Sequence, residues 1–217
     1  MRSAGEGFLE TLRDLCTRHH VPLVFDEVKS GFRHHVGGYQ AVCGVTPDVT
    51  TFSKALGNGY TIAGLAGSAD LMDHFKLSAD HQAVLDGTHN AQPYALAASR
   101  VTLAILRAGG IERLYKLGEM VREGLRKAIR DTGTKAVVAG IGSSWIVYFR
   151  ETAPRNYREA LESDGDRATR YSAAMRDAGI LEPLSALGDR RLCMATTEDD
   201  VREATAAAAV RALRVTA

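Results

Sequence analysis

The sequence predicts a mixed α/β protein, with an open sheet in its first half and a smaller α+β domain in its second. Two observations predict this: short apolar runs end in polar or glycine-rich residues in the first half, and amphipathic helical patterns dominate from residue 93 onward. The composition, 45% hydrophobic and 24% charged, is typical of a globular protein. We place the boundary at Gly109-Gly110, which gives domains over residues 1–109 and 110–217.

The first domain is predicted to begin with one helix and three short strands. Apolar residues at helical spacing after Phe8 predict the helix, and apolar runs at residues 22–25, 49–52 and 62–66 predict the strands. Polar residues stand directly after the first two runs. Because ligand groups gather at the carboxyl ends of strands in an open α/β sheet, we expect the functional site there.

The second domain is predicted to follow a helix that begins at Pro93, since proline suits the first turn of a helix. Thr197 and Asp200 form a capping-box pattern before the last helix. The helix that begins at Pro93 is expected to continue over residues 95–106. The other predicted elements are helices over residues 111–129, 168–178 and 201–213 and strands over residues 136–138, 145–149, 180–181 and 192–195.

The charges of the chain are nearly balanced, with 27 Lys and Arg residues against 26 Asp and Glu residues. That balance predicts no nucleic-acid partner. No run approaches roughly 18 apolar residues, so we expect no membrane span and no signal peptide. Three cysteines without a metal-ligand spacing predict neither a disulfide framework nor a metal site, and they suit a cytoplasmic protein.

Asp26-Glu27, at the end of the first apolar run, has two chemical interpretations. One is the magnesium-binding strand of a P-loop NTPase, but that fold needs a Gly-Lys pair in its phosphate loop and this chain contains none, so the loop would lie in another chain. The other pairs Asp26 with Lys54 as the anion and the amine of a pyridoxal phosphate enzyme. A capping acid and a surface lysine are the structural alternative.

Short motifs follow the same acids in a fixed order. They are Phe25-Asp26-Glu27-Val28, Gly31-Phe32-Arg33, Gly37-Gly38-x-Gln40, Gly44-Val45-Thr46-Pro47-Asp48, Thr50-Thr51-Phe52-Ser53-Lys54-x-x-Gly57-x-Gly59 and Asp86-Gly87-Thr88. Together they resemble the class III aminotransferases of fold type I, and the distance of 28 residues from Asp26 to Lys54 also matches that family. The resemblance implies that the chain is the C-terminal portion of a fold type I pyridoxal-phosphate-dependent transferase.

Within that class the chain most resembles the glutamate-1-semialdehyde aminomutases. Lys29 follows Asp-Glu-Val where many transaminases of the class carry Gln. The downstream motifs that fall in the aminomutase order are Arg155-Asn156-Tyr157, Ala160, Ser163-Asp164, Gly179-Ile180 and Thr197-Glu198-Asp199-Asp200. The resemblance covers only the second half of the family's chain, and the phosphate loop of the family lies in the first half.

The resemblance assigns a role to each matched residue. Lys54 is expected to form the imine with pyridoxal phosphate and to move a proton during the reaction. Asp26 would pair with the pyridine nitrogen, and Val28 would lie against one face of the ring. Thr88 would bind the cofactor phosphate across the interface of a homodimer. Glu27 is expected to be a structural ion-pair or hydrogen-bonding group.

Three functional hypotheses remain open from the sequence. The first is a pyridoxal-phosphate-dependent aminotransferase or aminomutase that acts on a small-molecule amine or amino acid. The second is a truncated non-catalytic paralogue, or a subunit that needs an N-terminal-half chain to supply the phosphate loop. The third and weakest is a P-loop NTPase fragment.

Overall fold

The computed structural model describes residues 5–75, 83–84, 86–183 and 185–216. The chain divides into two compact units, which meet in sequence between Ile111 and Glu112. The mixed α/β class predicted from the sequence is confirmed. The functional division into a cofactor-lysine domain over residues 1–109 and a C-terminal domain over residues 110–217 stays a prediction.

The first unit contains a three-stranded sheet in the order β1-β2-β3, together with short and medium helices. Its elements in chain order are α1 Phe8–Arg18, β1 Val24–Asp26, α2 Gln40–Cys43, β2 Val49–Phe52, a 3₁₀ turn Lys54–Leu56, β3 Gly64–Gly67, α3 Ala69–Met72, a 3₁₀ turn Asp73–Phe75, α4 Pro93–Ile105 and a π-helical turn Leu106–Gly110. The three predicted strands are therefore present, although β1 and β3 begin two residues later than expected.

The register of this sheet aligns the residues that follow β1 and β2. β1 runs parallel to β2, with Asp26 opposite Thr51, so the carboxyl ends of both strands lie at the same edge. β3 runs antiparallel to β2, with Gly64 opposite Phe52. A Cβ atom at Gly64 would stand 2.3 Å from the Phe52 ring, which explains why glycine occupies this position.

The second unit packs helices against an antiparallel sheet in the order β4-β5-β6. Its elements are α5 Ile111–Thr132, β4 Val137–Ile141, β5 Ser144–Tyr148, α6 Tyr157–Leu161, α7 Gly165–Asp177, β6 Arg190–Arg191, α8 Glu198–Glu203, a π-helical turn Ala204–Ala208 and α9 Ala209–Arg214. In the main core cluster, buried residues of α5, including Leu117, Val121 and Leu125, pack with residues of β5, α7 and α9, and a smaller second cluster joins β5 to α6.

The predicted capping box before the last helix is confirmed. The Thr197 hydroxyl accepts a hydrogen bond from the Asp200 amide at 3.1 Å, and the Asp200 carboxylate accepts one from the Thr197 amide at 2.7 Å. The same backbone bond and the Thr197 side chain hold the pKa of the Asp200 carboxyl below its usual range. Residues 201–213 are helical as expected, with the π-helical turn in the middle.

Two predicted strands of the second unit are wrong. Residues 180–181 and 192–195 are not in strands, and the chain pairs instead through β6, with Arg190 opposite Trp145. Leu181 is 93% exposed, so the apolar pair at 180–181 does not mark a buried strand. Pro183, two residues on, also lacks the amide hydrogen that a sheet ladder needs.

No helix in residues 5–75, 83–84, 86–183 and 185–216 is long and apolar enough to cross a membrane.

Candidate active site

The candidate site lies at the carboxyl ends of β1 and β2. Asp26 is the last residue of β1 and pairs with Thr51 of β2. Lys54 follows Thr51 by three residues. The parallel register thus brings to one edge of the sheet two groups that are 28 residues apart in sequence. This is where an open α/β sheet binds ligands, as expected from the sequence.

Asp26 is exposed, and one of its two carboxylate oxygens is engaged. Oδ1 accepts hydrogen bonds from the Val28 amide at 3.0 Å and from the Thr51 hydroxyl at 3.2 Å. Within the described part of the chain, Oδ2 has no hydrogen-bond partner. The first oxygen therefore orients the carboxylate, and the second remains able to accept a proton-bearing nitrogen of a ligand.

Lys54 begins the 3₁₀ turn with an unusual backbone conformation. Its φ of 37° is positive, which costs a residue other than glycine about 1 kcal/mol or more. Its carbonyl accepts hydrogen bonds from the amides of Gly57 at 3.2 Å and Asn58 at 3.0 Å, and these bonds hold the turn. No hydrogen bond or ion pair among the described residues engages its ammonium group, which is exposed. The amine is available to a ligand.

The loop after Lys54 is compact because small residues form it. A Cβ atom at Gly57 would stand 2.2 Å from the Tyr60 carbonyl oxygen. Gly59 has a φ of 109°, a conformation that glycine adopts without strain. Ser53 closes the start of the loop, since its hydroxyl donates to the Ile62 carbonyl at 2.7 Å. The position of Lys54 is therefore defined on both sides.

Of the two other predicted cofactor-binding residues, Val28 is linked to Asp26 at the carboxyl end of β1, and within the described residues Thr88 is not. Val28 is partly buried and is tied to Asp26 through its amide. Thr88 is exposed in the turn after Asp86-Gly87, where the Asp86 side chain accepts the Gly87 amide at 2.7 Å. Among the residues described, no hydrogen bond joins Thr88 to Asp26, Val28 or Lys54. Its expected role at a cofactor phosphate stays a prediction.

Thr51 was missed by the sequence reasoning as a contact of Asp26. Its hydroxyl donates to the Asp26 carboxylate across the parallel pair β1-β2. The available signal was a polar β-branched residue three positions before Lys54, but only the strand register shows that it faces Asp26.

The opposite face of β2 borders a different space. Thr50 and Phe52 line a cavity of about 640 Å³, together with Glu27 and residues of the 31–40 loop. Since side chains alternate across a strand, this cavity lies on the face away from the contact between Thr51 and Asp26. It is not part of the candidate site. The described residues contain no group of three His, Cys, Asp or Glu side chains placed to hold a metal ion.

Comparisons with known proteins agree with the resemblance seen in the motifs. Residues 1–203 match the family model for aminotransferase class-III. A glutamate-1-semialdehyde 2,1-aminomutase from Desulfatibacillum aliphaticivorans is 35% identical over 208 residues, which are 95% of this chain and 48% of the relative. The chain thus spans about half the length of the curated relatives it matches.

Solved structures show the same likeness in three dimensions. An ω-transaminase from Sphaerobacter thermophilus superposes with a TM-score of 0.90 at 30% identity, over 99% of this chain and 49% of that one. A transaminase solved with PLP bound gives a TM-score of 0.86 at 25% identity, again over 99% of this chain and 49% of that one. With its motifs, its family match and its fold in agreement, the chain belongs to the class-III aminotransferase family.

Proposed function

We propose that this chain carries the cofactor lysine of a pyridoxal-phosphate-dependent aminotransferase or aminomutase, with Lys54 as that lysine. The observation that carries the proposal is that Asp26 and Lys54 lie at the carboxyl ends of two paired strands, β1 and β2. There the Asp26 Oδ2 oxygen and the Lys54 amine each have no hydrogen-bond partner among the described residues. The solved transaminase with PLP bound supports the choice of cofactor. A small-molecule amine or amino acid is the proposed substrate.

The residues at this edge fit the cofactor. When bound, pyridoxal phosphate supplies an aldehyde that reacts with amines and a ring that withdraws electrons from the substrate. Asp26 Oδ2, which has no hydrogen-bond partner among the described residues, would accept the ring N–H, and a charge-assisted hydrogen bond of this kind favours the protonated ring. Val28 and Thr51 hold the other carboxylate oxygen, Oδ1, and would thereby orient the carboxylate toward the ring nitrogen.

Lys54 has two tasks in this proposal. Its amine would hold the cofactor through the aldehyde, and the same amine would accept the proton from the substrate α-carbon. Both tasks require a side chain that is not held by a local ion pair, and among the described residues no ion pair engages Lys54. Val28 would pack against one ring face, and Thr88 would bind the phosphate across the interface of a cytoplasmic homodimer.

Borohydride trapping tests this assignment. We would add pyridoxal phosphate to the purified chain, reduce it and locate the adduct by mass spectrometry. The proposal expects the adduct on Lys54, with loss of visible absorbance in Lys54→Ala. Lys29→Ala is the matched control, because Lys29 is also exposed and close to the end of β1. An adduct spread equally over several lysines would contradict a specific site.

A second candidate is a subunit that needs an N-terminal-half chain to supply the phosphate loop, or a non-catalytic paralogue. The observation that favours it is the free edge of β1, which pairs only with β2 among the described strands and leaves Val24 53% exposed. Coexpression with the upstream half of an aminomutase relative tests it. A stable complex in which Lys54 becomes labelled would support the subunit, whereas labelling of the chain alone would contradict it. The family assignment gives the P-loop NTPase interpretation no support.

A further inference from the structure

Glu27 is a buried carboxylate directly beside the candidate site. It follows β1, stands between Asp26 and Val28, and is only 2% exposed. Glutamate is rarely buried unless its carboxylate has partners. Both oxygens accept a hydrogen bond from the Tyr39 amide, at 2.8 and 2.7 Å, and the Gln40 amide and the Ser30 hydroxyl each approach at 3.4 Å.

The backbone of Glu27 makes two further connections. Its amide donates to the Thr51 carbonyl at 2.9 Å, which continues the pairing of β1 with β2. Its carbonyl accepts the Gly31 amide at 2.8 Å, which closes the turn that contains Val28. One residue therefore joins the end of β1, the neighbouring strand, the turn and the chain near Tyr39.

Two glycines leave room for Glu27. A Cβ atom at Gly38, where φ is 78°, would stand 2.4 Å from Glu27 Oε1. A Cβ atom at Gly31 would stand 2.7 Å from the Glu27 carbonyl oxygen. The loop is thus shaped closely around both the side chain and the backbone of this residue, so neither can move without moving the loop.

We propose that Glu27 is a positioning residue for the cofactor site: its buried carboxylate fixes the backbone that carries Asp26 and Val28 and thereby directs the Asp26 carboxylate. The hydrogen bond from the Val28 amide to Asp26 Oδ1 spans Glu27, so a rotation of the Glu27 backbone changes that bond directly. The role at the cofactor rests on the proposed function. The coupling of Glu27 to Val28 is a property of the chain alone.

Glu27→Gln tests the coupling without a cofactor. The side chain keeps its size, but one carboxylate oxygen becomes an amide NH₂ group. In the wild type the Tyr39 amide donates to both oxygens, so in the variant one of its acceptors is replaced by a donor. In the cofactor-free chain we expect amide hydrogen exchange of Tyr39 and Val28 to accelerate about tenfold, measured residue by residue by NMR. We expect half-saturation with pyridoxal phosphate to rise by a similar factor of about ten.

Asp48→Asn is the matched control at the other end of β1. Asp48 Oδ2 accepts hydrogen bonds from the Leu23 amide and the Arg13 guanidinium, both at 2.7 Å. Loss of the Asp48 charge therefore destabilises the same unit, but at the residue that precedes β1. The control should lower stability and leave the relative protection of Val28 unchanged. If Glu27→Gln does not fold, Ser30→Ala removes only one of the two long bonds to the Glu27 carboxylate and should accelerate Val28 exchange about threefold.

The outcomes separate this proposal from the proposed function. Unchanged Val28 exchange in a folded Glu27→Gln chain, or an equal change in Asp48→Asn, overturns the positioning role. If Glu27→Gln accelerates Val28 exchange but the wild-type chain binds no pyridoxal phosphate, the coupling is supported and the proposed function of the chain alone is contradicted. A selective loss of cofactor binding in Glu27→Gln supports both.

Discussion

Replacing Thr51 by Val removes one hydroxyl from the candidate site and little else. The two side chains have nearly the same shape, and both are β-branched, so the strand β2 should persist. What disappears is the 3.2 Å hydrogen bond to Asp26 Oδ1, while the 3.0 Å bond from the Val28 amide remains. The carboxylate keeps one of its two anchors and gains freedom to rotate.

The size of the effect follows from the geometry of that bond. A hydrogen bond to a charged group contributes about 1.5–3 kcal/mol when it is well shielded. Asp26 is exposed and the bond is long, so water competes for both groups and we take about 1 kcal/mol. That corresponds to roughly fivefold weaker binding of pyridoxal phosphate, since 1.4 kcal/mol is tenfold.

An absorbance titration with pyridoxal phosphate measures this directly. Thr50→Val is the matched control, because Thr50 is the preceding residue of β2 and lines the cavity on the opposite face. We expect roughly fivefold weaker binding in Thr51→Val and wild-type binding in Thr50→Val, with both chains folded by circular dichroism. Equal affinity of Thr51→Val and wild type would refute the argument that Thr51 orients Asp26.

Three further predictions concern stability. Leu117→Ala should cost about 2–5 kcal/mol in the urea unfolding of the second unit, because this fully buried side chain leaves a cavity in the main core; a loss below about 1 kcal/mol would contradict that packing. Thr197→Ala should cost about 1 kcal/mol through loss of the capping box, whereas Thr197→Ser should restore most of it in the same measurement. The Leu23 amide and then the Arg13 side chain hold the pKa of the Asp48 carboxyl below its usual 3.8. The stability that this carboxylate contributes is fully present at a pH above its usual pKa and is lost as the pH falls through its lowered pKa in the folded chain. The urea midpoints of wild type and Asp48→Asn should therefore converge in acid. A difference between the midpoints that stays constant with pH would contradict this linkage.

Local sequence signals predicted the elements that depend on a few neighbouring residues. Pro93 begins α4 and Thr197 caps α8 as expected, because these signals act within one helical turn. The apolar stripe of α5 was equally clear, since it repeats over six turns' length of chain between Ile111 and Thr132. Such elements can be predicted from a single sequence.

The failures are elements that depend on distant partners. β6 is Arg190–Arg191, two charged residues that no strand pattern identifies, and it forms because β5 offers a free edge beside them. The apolar residues 180–181 and 192–195 looked more like strands but find no partner strand. Pairing across the sheet, rather than composition, decides whether such short segments become strands.

For the site, the sequence by itself determined the family and predicted the pair Asp26 and Lys54, because both inferences depend on residue types in a fixed order along the chain. The tertiary structure alone decided what surrounds them. Thr51 contacts Asp26 because β1 and β2 pair in parallel register, and Glu27 is buried because a loop twelve residues downstream folds back over it. Hydrogen bonds between residues far apart in sequence follow from strand register and chain reversal, and neither leaves a signal in the local pattern.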